Sequence, residues 1–242
     1  MFKESHLRSA IKAISWRFWA TVTTMVLVYI FTGTIKIALA IGALEVVLKI
    51  LIYFLHERAW DKILFGRKEV SPFVLWFTGL PSSGKTTLAN AIYERLSKNG
   101  SRVERLDGDK VRDIFPSTGF SKEERDIHIQ RVGFLASMLE KNGISVIASF
   151  ISPYQKSRGF VRALCRNYIE VYMATPLEVC EKLDTRGLYK RARKGEIKRF
   201  TGIDDPYEEP NDAELSINAS SESVEEATGK IMRYLKERKF LS

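Results

Sequence analysis

Gly79, Gly84, Lys85 and Thr86 fall in the spacing G-x-x-x-x-G-K-[ST], inside the stretch FTGLPSSGKTT at residues 77–87. A loop of this kind turns backbone N–H groups inward around a polyphosphate. Its lysine reaches the outer phosphates and its hydroxyl ligates Mg2+. The candidate ATP-binding residues are therefore Gly79, Leu80, Pro81, Ser82, Ser83, Gly84, Lys85, Thr86 and Thr87. Lys85 is the candidate catalytic cation and Thr86 the candidate metal ligand, and the implied cofactors are ATP and Mg2+. The loop alone names no acceptor, because motors, GTPases, transporters and small-molecule kinases share it.

Asp107 and Asp109 flank Gly108 in LDGDKVR, residues 106–112. At the carboxyl end of a strand they would lie on the edge where open parallel sheets bind ligands. One carboxylate could assist Mg2+ through water and the other accept a proton from an attacking hydroxyl. Asp and Gly also make ordinary strand-end turns. In many proteins with this loop, an acid ends the third strand and helps hold the metal. Here that stretch reads ASFISPY, without an acid, so Asp107 and Asp109 are the nearest candidates.

The elements that must position these residues alternate. FVLWFTG is a continuous apolar run, the pattern of a strand buried on both faces. A helix over about 85–98 follows the loop, then a strand at RVERL. Ser121 and Glu124 form a capping-box pattern that opens a helix ending near Gly143. ISVIASF is a third strand, QKSRGFVRALCRN a helix, IEVYMATP a strand and LEVCEKL a helix. AELSINAS is a last strand and SVEEATGKIMRYLKERKF a closing helix. The fold class expected is α/β, a parallel sheet flanked by helices with right-handed crossovers. Cys165 and Cys180 have no C-x-x-C spacing and read as small core residues of a reduced domain.

The first seventy residues differ. Their net charge is +5, against +4 for the remaining 172 of the 242 residues. Within them lie two apolar runs, Phe18–Thr34 and Ile37–Leu55. A bilayer span needs roughly 17–25 apolar residues, and both runs lie near the lower edge. The link GTIK allows only a tight turn, so the pair reads as a transmembrane helical hairpin. Basic residues flank both outer ends, which puts both termini and the following domain in the cytoplasm. The charge distribution favours an anionic membrane surface over nucleic acid. Glu45 and Lys49, four residues apart on one helix face, read as a self-neutralising pair, with a polar path the alternative. A cleavable signal peptide ending near Ala38–Ala40 is rejected, since it would export the loop from its ATP. The expected organisation is a hairpin at 1–58, a basic linker at 59–71 and a catalytic domain at 72–242.

The blocks GLPSSGKTT, LDGDKVR, GFSKEERDIHIQRVG, ISPY and EVYMATPLEVCEKLDTRGLYKRARKGEIKRFTGIDDPYEEP, in that order, resemble adenylylsulfate kinase. The resemblance covers Pro72 to the C-terminus. It implies transfer of the γ-phosphate of ATP to the ribose 3′-hydroxyl of adenosine 5′-phosphosulfate (APS). By that resemblance Asp109 activates the hydroxyl, with Asp107 beside it, and Arg112 and Arg125 bind the phosphosulfate or its neighbouring phosphate. Phe120 stacks on adenine, and Ile151 and Ser152 lie along the nucleotide. Ser152 matches a phosphoserine position of the family, although in-line transfer needs no covalent intermediate. Residues 185–210 become a mobile lid carrying Arg186, Lys190, Arg191 and Arg193, and Phe200 and Thr201 close over the second nucleotide. A homodimer is implied. His128 stands where the family often has Asn, Gln130 and Leu183 replace Arg, Arg186 replaces Lys, and residues 112–120 are one residue short. The N-terminal stretch SHLRSAIKAISWRFWATVTT resembles a family of small two-helix bacterial membrane domains.

Three other functions are compatible with parts of the sequence. A kinase for a nucleoside or sugar would not need FTGIDDPYEEP. A non-catalytic nucleotide sensor would not need Lys85, Thr86 and Asp109 together. A hairpin acting in sulfate uptake would have too few spans unless it oligomerised.

Overall fold

The computed structural model describes residues 6–62, 71–115 and 119–241. The chain divides into two compact units, Met1–Arg67 and Lys68–Ser242.

The first unit contains α1 (His6–Thr32) and α2 (Ile35–Lys62). Gly33 joins them at φ +61°, a left-handed conformation costly for other residues. The helices run antiparallel and meet at close quarters: a Cβ on Gly42 would come within 2.4 Å of Met25 Cε. The Arg17 guanidinium lies over the Tyr53 ring. Glu45 pairs with Lys49 one turn on, and Thr24 Oγ1 donates to Glu45 Oε1 across the helix pair at 3.1 Å. Most apolar side chains of both helices face outward, among them Ile30, Phe31, Val47 and Ile52. Among the described residues one helix, over Ile35–Phe54, is long and apolar enough to cross a bilayer, and the apolar part of α1 is the shorter Arg17–Thr32. Helix α2 continues to Lys62, through the first residues of the expected linker. The rest of that linker up to residue 70 lies outside the described residues.

The second unit is a five-stranded sheet in the order β2-β3-β1-β4-β5. Its strands are β1 (Val74–Gly79), β2 (Val103–Asp107), β3 (Ser145–Ser149), β4 (Tyr168–Met173) and β5 (Leu215–Ile217), and every pairing is parallel. Between them run α3 (Lys85–Lys98), α4 (Gly108–Ile114), α5 (Lys122–Lys141), α6 (Gln155–Leu164), α7 (Leu177–Lys182) and α8 (Leu188–Arg193), and α9 (Val224–Glu237) closes the chain. All six residues of β1 are buried. Strand alternation sends Leu75 and Phe77 to the core under α3 and α9, and Val74 and Trp76 to the core under α5 and α6. Ser121 and Glu124 form the full capping box of α5, and Ser223 and Glu226 that of α9. Cys165 and Cys180 are buried free thiols.

The segment at 185–210 is more ordered than its sequence suggests. It contains α8, and Tyr189, Ala192 and Phe200 build a third apolar cluster with Cys180. Tyr189 and Ala192, three residues apart on one face of α8, and Phe200 beyond it close on Cys180 of α7.

Candidate active site

The nucleotide loop leaves the carboxyl end of β1 and enters α3. Gly79 has φ +145°, and a Cβ there would come within 2.9 Å of the Met173 carbonyl oxygen. Gly84, at φ +94°, is the N-cap of α3, and no side chain caps that terminus. The first-turn N–H groups and the helix dipole are thus available to an anion. Lys85 Nζ folds back to donate to the carbonyls of Gly79 at 3.0 Å and Leu80 at 2.5 Å, and to Ser83 Oγ at 3.3 Å. Burial pushes its pKa down to about 8, only partly opposed by Cys180 and Asp109. The Ser83 carbonyl accepts from Thr175 Oγ1 at 3.2 Å, and the Pro81 carbonyl accepts from the Tyr189 hydroxyl at 2.9 Å. Helix α8 is therefore fastened to the phosphate loop.

Asp107 and Asp109 separate in role. Asp107 is the N-cap of α4: its side chain accepts from the Asp109 N–H at 3.2 Å and from Ser149 Oγ at 3.3 Å, and it pairs with Arg105. Asp109, in the first turn of α4, is exposed, and its Oδ2 accepts from Arg186 at 2.9 Å. Thr86 is exposed in the first turn of α3. For Mg2+, the described residues contain no group of three or more acidic, His or Cys side chains. A Thr hydroxyl fits a cation that takes most of its oxygens from phosphates and water. Thr86 is the residue that would hold it, and the metal would neutralise charge on the transferring phosphates.

The remaining candidates gather around α5. Phe120 is exposed, and the guanidinium carbons of Arg112 and Arg125 lie 4.4 and 5.8 Å from its ring centroid. Arg112 donates to the Gly119 carbonyl at 3.0 Å. Burial first, then the positive charge of Arg125, depress the Arg112 pKa. Arg125 is buried and already occupied: it donates to the Phe120 carbonyl at 3.0 Å, bonds Thr201 and the Arg199 carbonyl, and meets Asp205 at 3.2 Å. These bonds fasten α5 to residues 199–205. His128 is buried between the edges of Phe115 and Phe150. Neither ring nitrogen has a hydrogen-bond partner among the described residues, and burial pushes its pKa down to about 4.

Ser152 lies deep, at φ +40°, a sparsely populated region for a side-chain-bearing residue. Its Oγ accepts from Trp76 Nε1 at 3.1 Å and donates to Thr78 Oγ1 at 2.9 Å. Thr78 in turn donates to the Ile151 carbonyl at 2.8 Å and shares a 2.9 Å bond with the Tyr207 hydroxyl. Phe200 and Thr201 are buried within the lid and its seam rather than exposed to a ligand. Sequence reasoning missed Thr78, Tyr154, Arg158, Tyr189, Asp205 and Tyr207. Tyr154 binds Asp205 at 3.0 Å, and Arg158 bridges the Ser152 and Glu208 carbonyls at 2.7 Å each. The block at residues 200–210 had marked the region but not these contacts.

A phosphate loop on a parallel sheet, with a carboxylate and a basic lid at the same edge, defines a P-loop kinase. Residues 71–218 match the adenylylsulphate kinase family, and residues 10–61 match a family of predicted membrane proteins, DUF2061. The adenylyl-sulfate kinase of Halothermothrix orenii is 47% identical over 169 residues, covering 69% of this chain and 91% of that protein. The Mycobacterium tuberculosis APS kinase CysC, solved with AMPPNP and APS, is 34% identical with a TM-score of 0.66, covering 69% of this chain and 98% of that one. A hexameric APS kinase from Thiobacillus denitrificans is 32% identical with a TM-score of 0.56, covering 72% of this chain and 31% of that one. The chain belongs to the adenylylsulphate kinase family, fused behind a predicted membrane domain.

Proposed function

We propose that the protein transfers the γ-phosphoryl group of ATP to the 3′-hydroxyl of adenosine 5′-phosphosulfate, releasing ADP and 3′-phosphoadenylyl sulfate. The observation that carries this reading is the exposed Asp109 carboxylate at the head of α4, 2.9 Å from lid residue Arg186. On substrate binding Arg186 turns to the anion, and Asp109 takes the proton of the attacking hydroxyl. Lys85 leaves the loop carbonyls and neutralises charge on the transferring group. Thr86 would hold Mg2+, which would add to that neutralisation. Arg112 and Arg125 supply the positive field for the phosphosulfate, and Phe120 the adenine platform, with Ile151 beside it. Ser152 acts as a positioning residue: its hydroxyl is spent on Trp76 and Thr78.

The reading includes a bilayer tether with both ends cytoplasmic, supported by the outward-facing apolar side chains of α1 and α2 and their basic flanks. It also includes self-association. The test of the activity is a coupled ATP assay with APS against a panel of nucleosides and sugars. Preferential turnover of APS is expected; preferential turnover of adenosine would overturn the reading.

A further inference from the structure

We propose that Arg158 is a positioning residue of the kinase site: its guanidinium fixes the turn at Ile151 and Ser152 and locks that turn to the segment at Glu208. The role rests on the activity proposed above, in which Ile151 lies beside the adenine platform. Arg158 sits one turn into α6 and is 3% exposed, so it acts through the groups it touches. Each of its three nitrogens is committed. Nη1 donates to the Ser152 carbonyl and Nη2 to the Glu208 carbonyl, both at 2.7 Å. Nε lies 2.8 Å from Glu170 Oε1. The seam continues on either side: the Glu208 N–H donates to the Pro153 carbonyl at 2.8 Å, and the Gln155 N–H donates to Glu208 Oε2 at 2.7 Å.

The turn needs such a clamp. Ser152 has φ +40°, and a residue with a side chain stays there only where its surroundings over-determine it. Trp76 and Thr78 hold its hydroxyl, and Arg158 holds its carbonyl. A planar fork with fixed N–H directions meets two carbonyls and a carboxylate at once, whereas an ammonium is a point charge on a flexible stem. A buried guanidinium is costly to desolvate, and for stability alone an apolar side chain of that volume would serve as well. Here the charges alternate: Glu170 also pairs with Arg162 at 3.2 Å, and Arg162 with Glu214. Burial raises the Glu170 pKa, and Arg158 is the first influence opposing the rise.

The full chain in detergent is assayed with APS and then ATP as the varied substrate. Arg158→Lys keeps the charge and loses the fork. It is expected to lower kcat/KM for APS by about 10–100-fold, the loss of a hydrogen bond to a charged group, and to leave KM for ATP within about twofold. Ser152→Gly makes the positive φ unstrained, so in that background the same lysine substitution is expected to cost about threefold or less. Equal losses in both backgrounds, or for both substrates, mean a role confined to the fold and overturn the proposal. Parent-like turnover of APS by Arg158→Lys overturns it too. If the lysine variant does not fold, Glu170→Gln tests the same fork from its other side: a loss of about 3–10-fold with APS alone is expected, and no loss overturns the proposal. If the parent itself prefers a different acceptor, the proposed activity fails, and the same variants read with that acceptor decide the role of Arg158.

Discussion

Asp109 and Arg186 are 77 positions apart in the sequence and 2.9 Å apart in space. The side chains are 73% and 70% exposed. A pair that open to water contributes about 0–1 kcal/mol, so a bound anion can readily take the arginine away. Arg186→Ala should shift Tm by less than about 2 °C but lower kcat/KM for APS by about 10–100-fold, the loss of one charged hydrogen bond. Asp109→Asn should lower kcat itself by about 10²–10⁴-fold, the range for a general base. A change confined to KM in Asp109→Asn would make that residue a binding group only.

Lys85 has its pKa held near 8 by burial before any nucleotide arrives. The charged form is the one that binds phosphates, so ATP binding above pH 8 should draw a proton from buffer, and affinity should fall as pH rises. Calorimetry at pH 8.5 in two buffers of different ionisation enthalpy measures this uptake, and Lys85→Arg should abolish it. Lys85→Ala should abolish turnover, and near-normal kcat in that variant would exclude the loop from catalysis.

His128 gives the fold an acid sensitivity. Its folded pKa, about 4, lies below its ordinary 6.5. The unfolded chain therefore binds the extra proton first as pH falls, and the stability due to neutral burial is present above pH 6.5 and lost toward pH 4. The loss is on the order of 3 kcal/mol. Urea titrations across that window should show it, and His128→Asn should flatten the profile.

Tyr189 ties α8 to the phosphate loop through the Pro81 carbonyl. Tyr189→Phe keeps the ring in its cluster and removes that bond, which should cost about 0.5–1.5 kcal/mol. The loop then loses one fixed point, so KM for ATP should rise while kcat changes little. Equal falls in kcat and kcat/KM would instead place the contact in the transition state.

The hairpin is tested by fractionation. A chain beginning at Ser71 should be soluble and active, and the full chain should stay with membranes in high salt. Glu45→Leu leaves Lys49 without the partner it has in α2. Near a span centre that should oppose insertion by about 2.5–3.5 kcal/mol, and removing both charges should restore it. Release of the full chain by salt alone would mean a surface-bound helix pair.

The nucleotide loop, the strand sequence and the start of α5 were legible because each rests on local chemistry: glycines at fixed offsets, continuous apolar runs, and Ser with Glu three positions on. The partners of Asp107, Arg105 and Ser149, were not legible, because they meet it only after β2 and β3 pair. Arg125 looked like a substrate ligand, and its protein partners Thr201, Arg199 and Asp205 are about 75 to 80 residues away along a segment with no periodic pattern. Ser152 and Thr78 form their bond across 74 positions, which no spacing rule reaches.

Trp76 is the only tryptophan in residues 71–242, the others being Trp16, Trp19 and Trp60. Its indole is fully buried, lies 5.4 Å from the Phe150 ring and donates to Ser152 Oγ. Through Ser152 and Thr78 it is joined to Tyr207, in the segment that anchors the lid. The catalytic unit thus has a built-in fluorophore: any rearrangement that breaks the Tyr207 link alters the hydrogen bond at the indole nitrogen and with it the wavelength and yield of the emission. In a chain beginning at Ser71, ligand arrival can be followed on stopped-flow timescales without a label, the tryptophan emission coming from one known position.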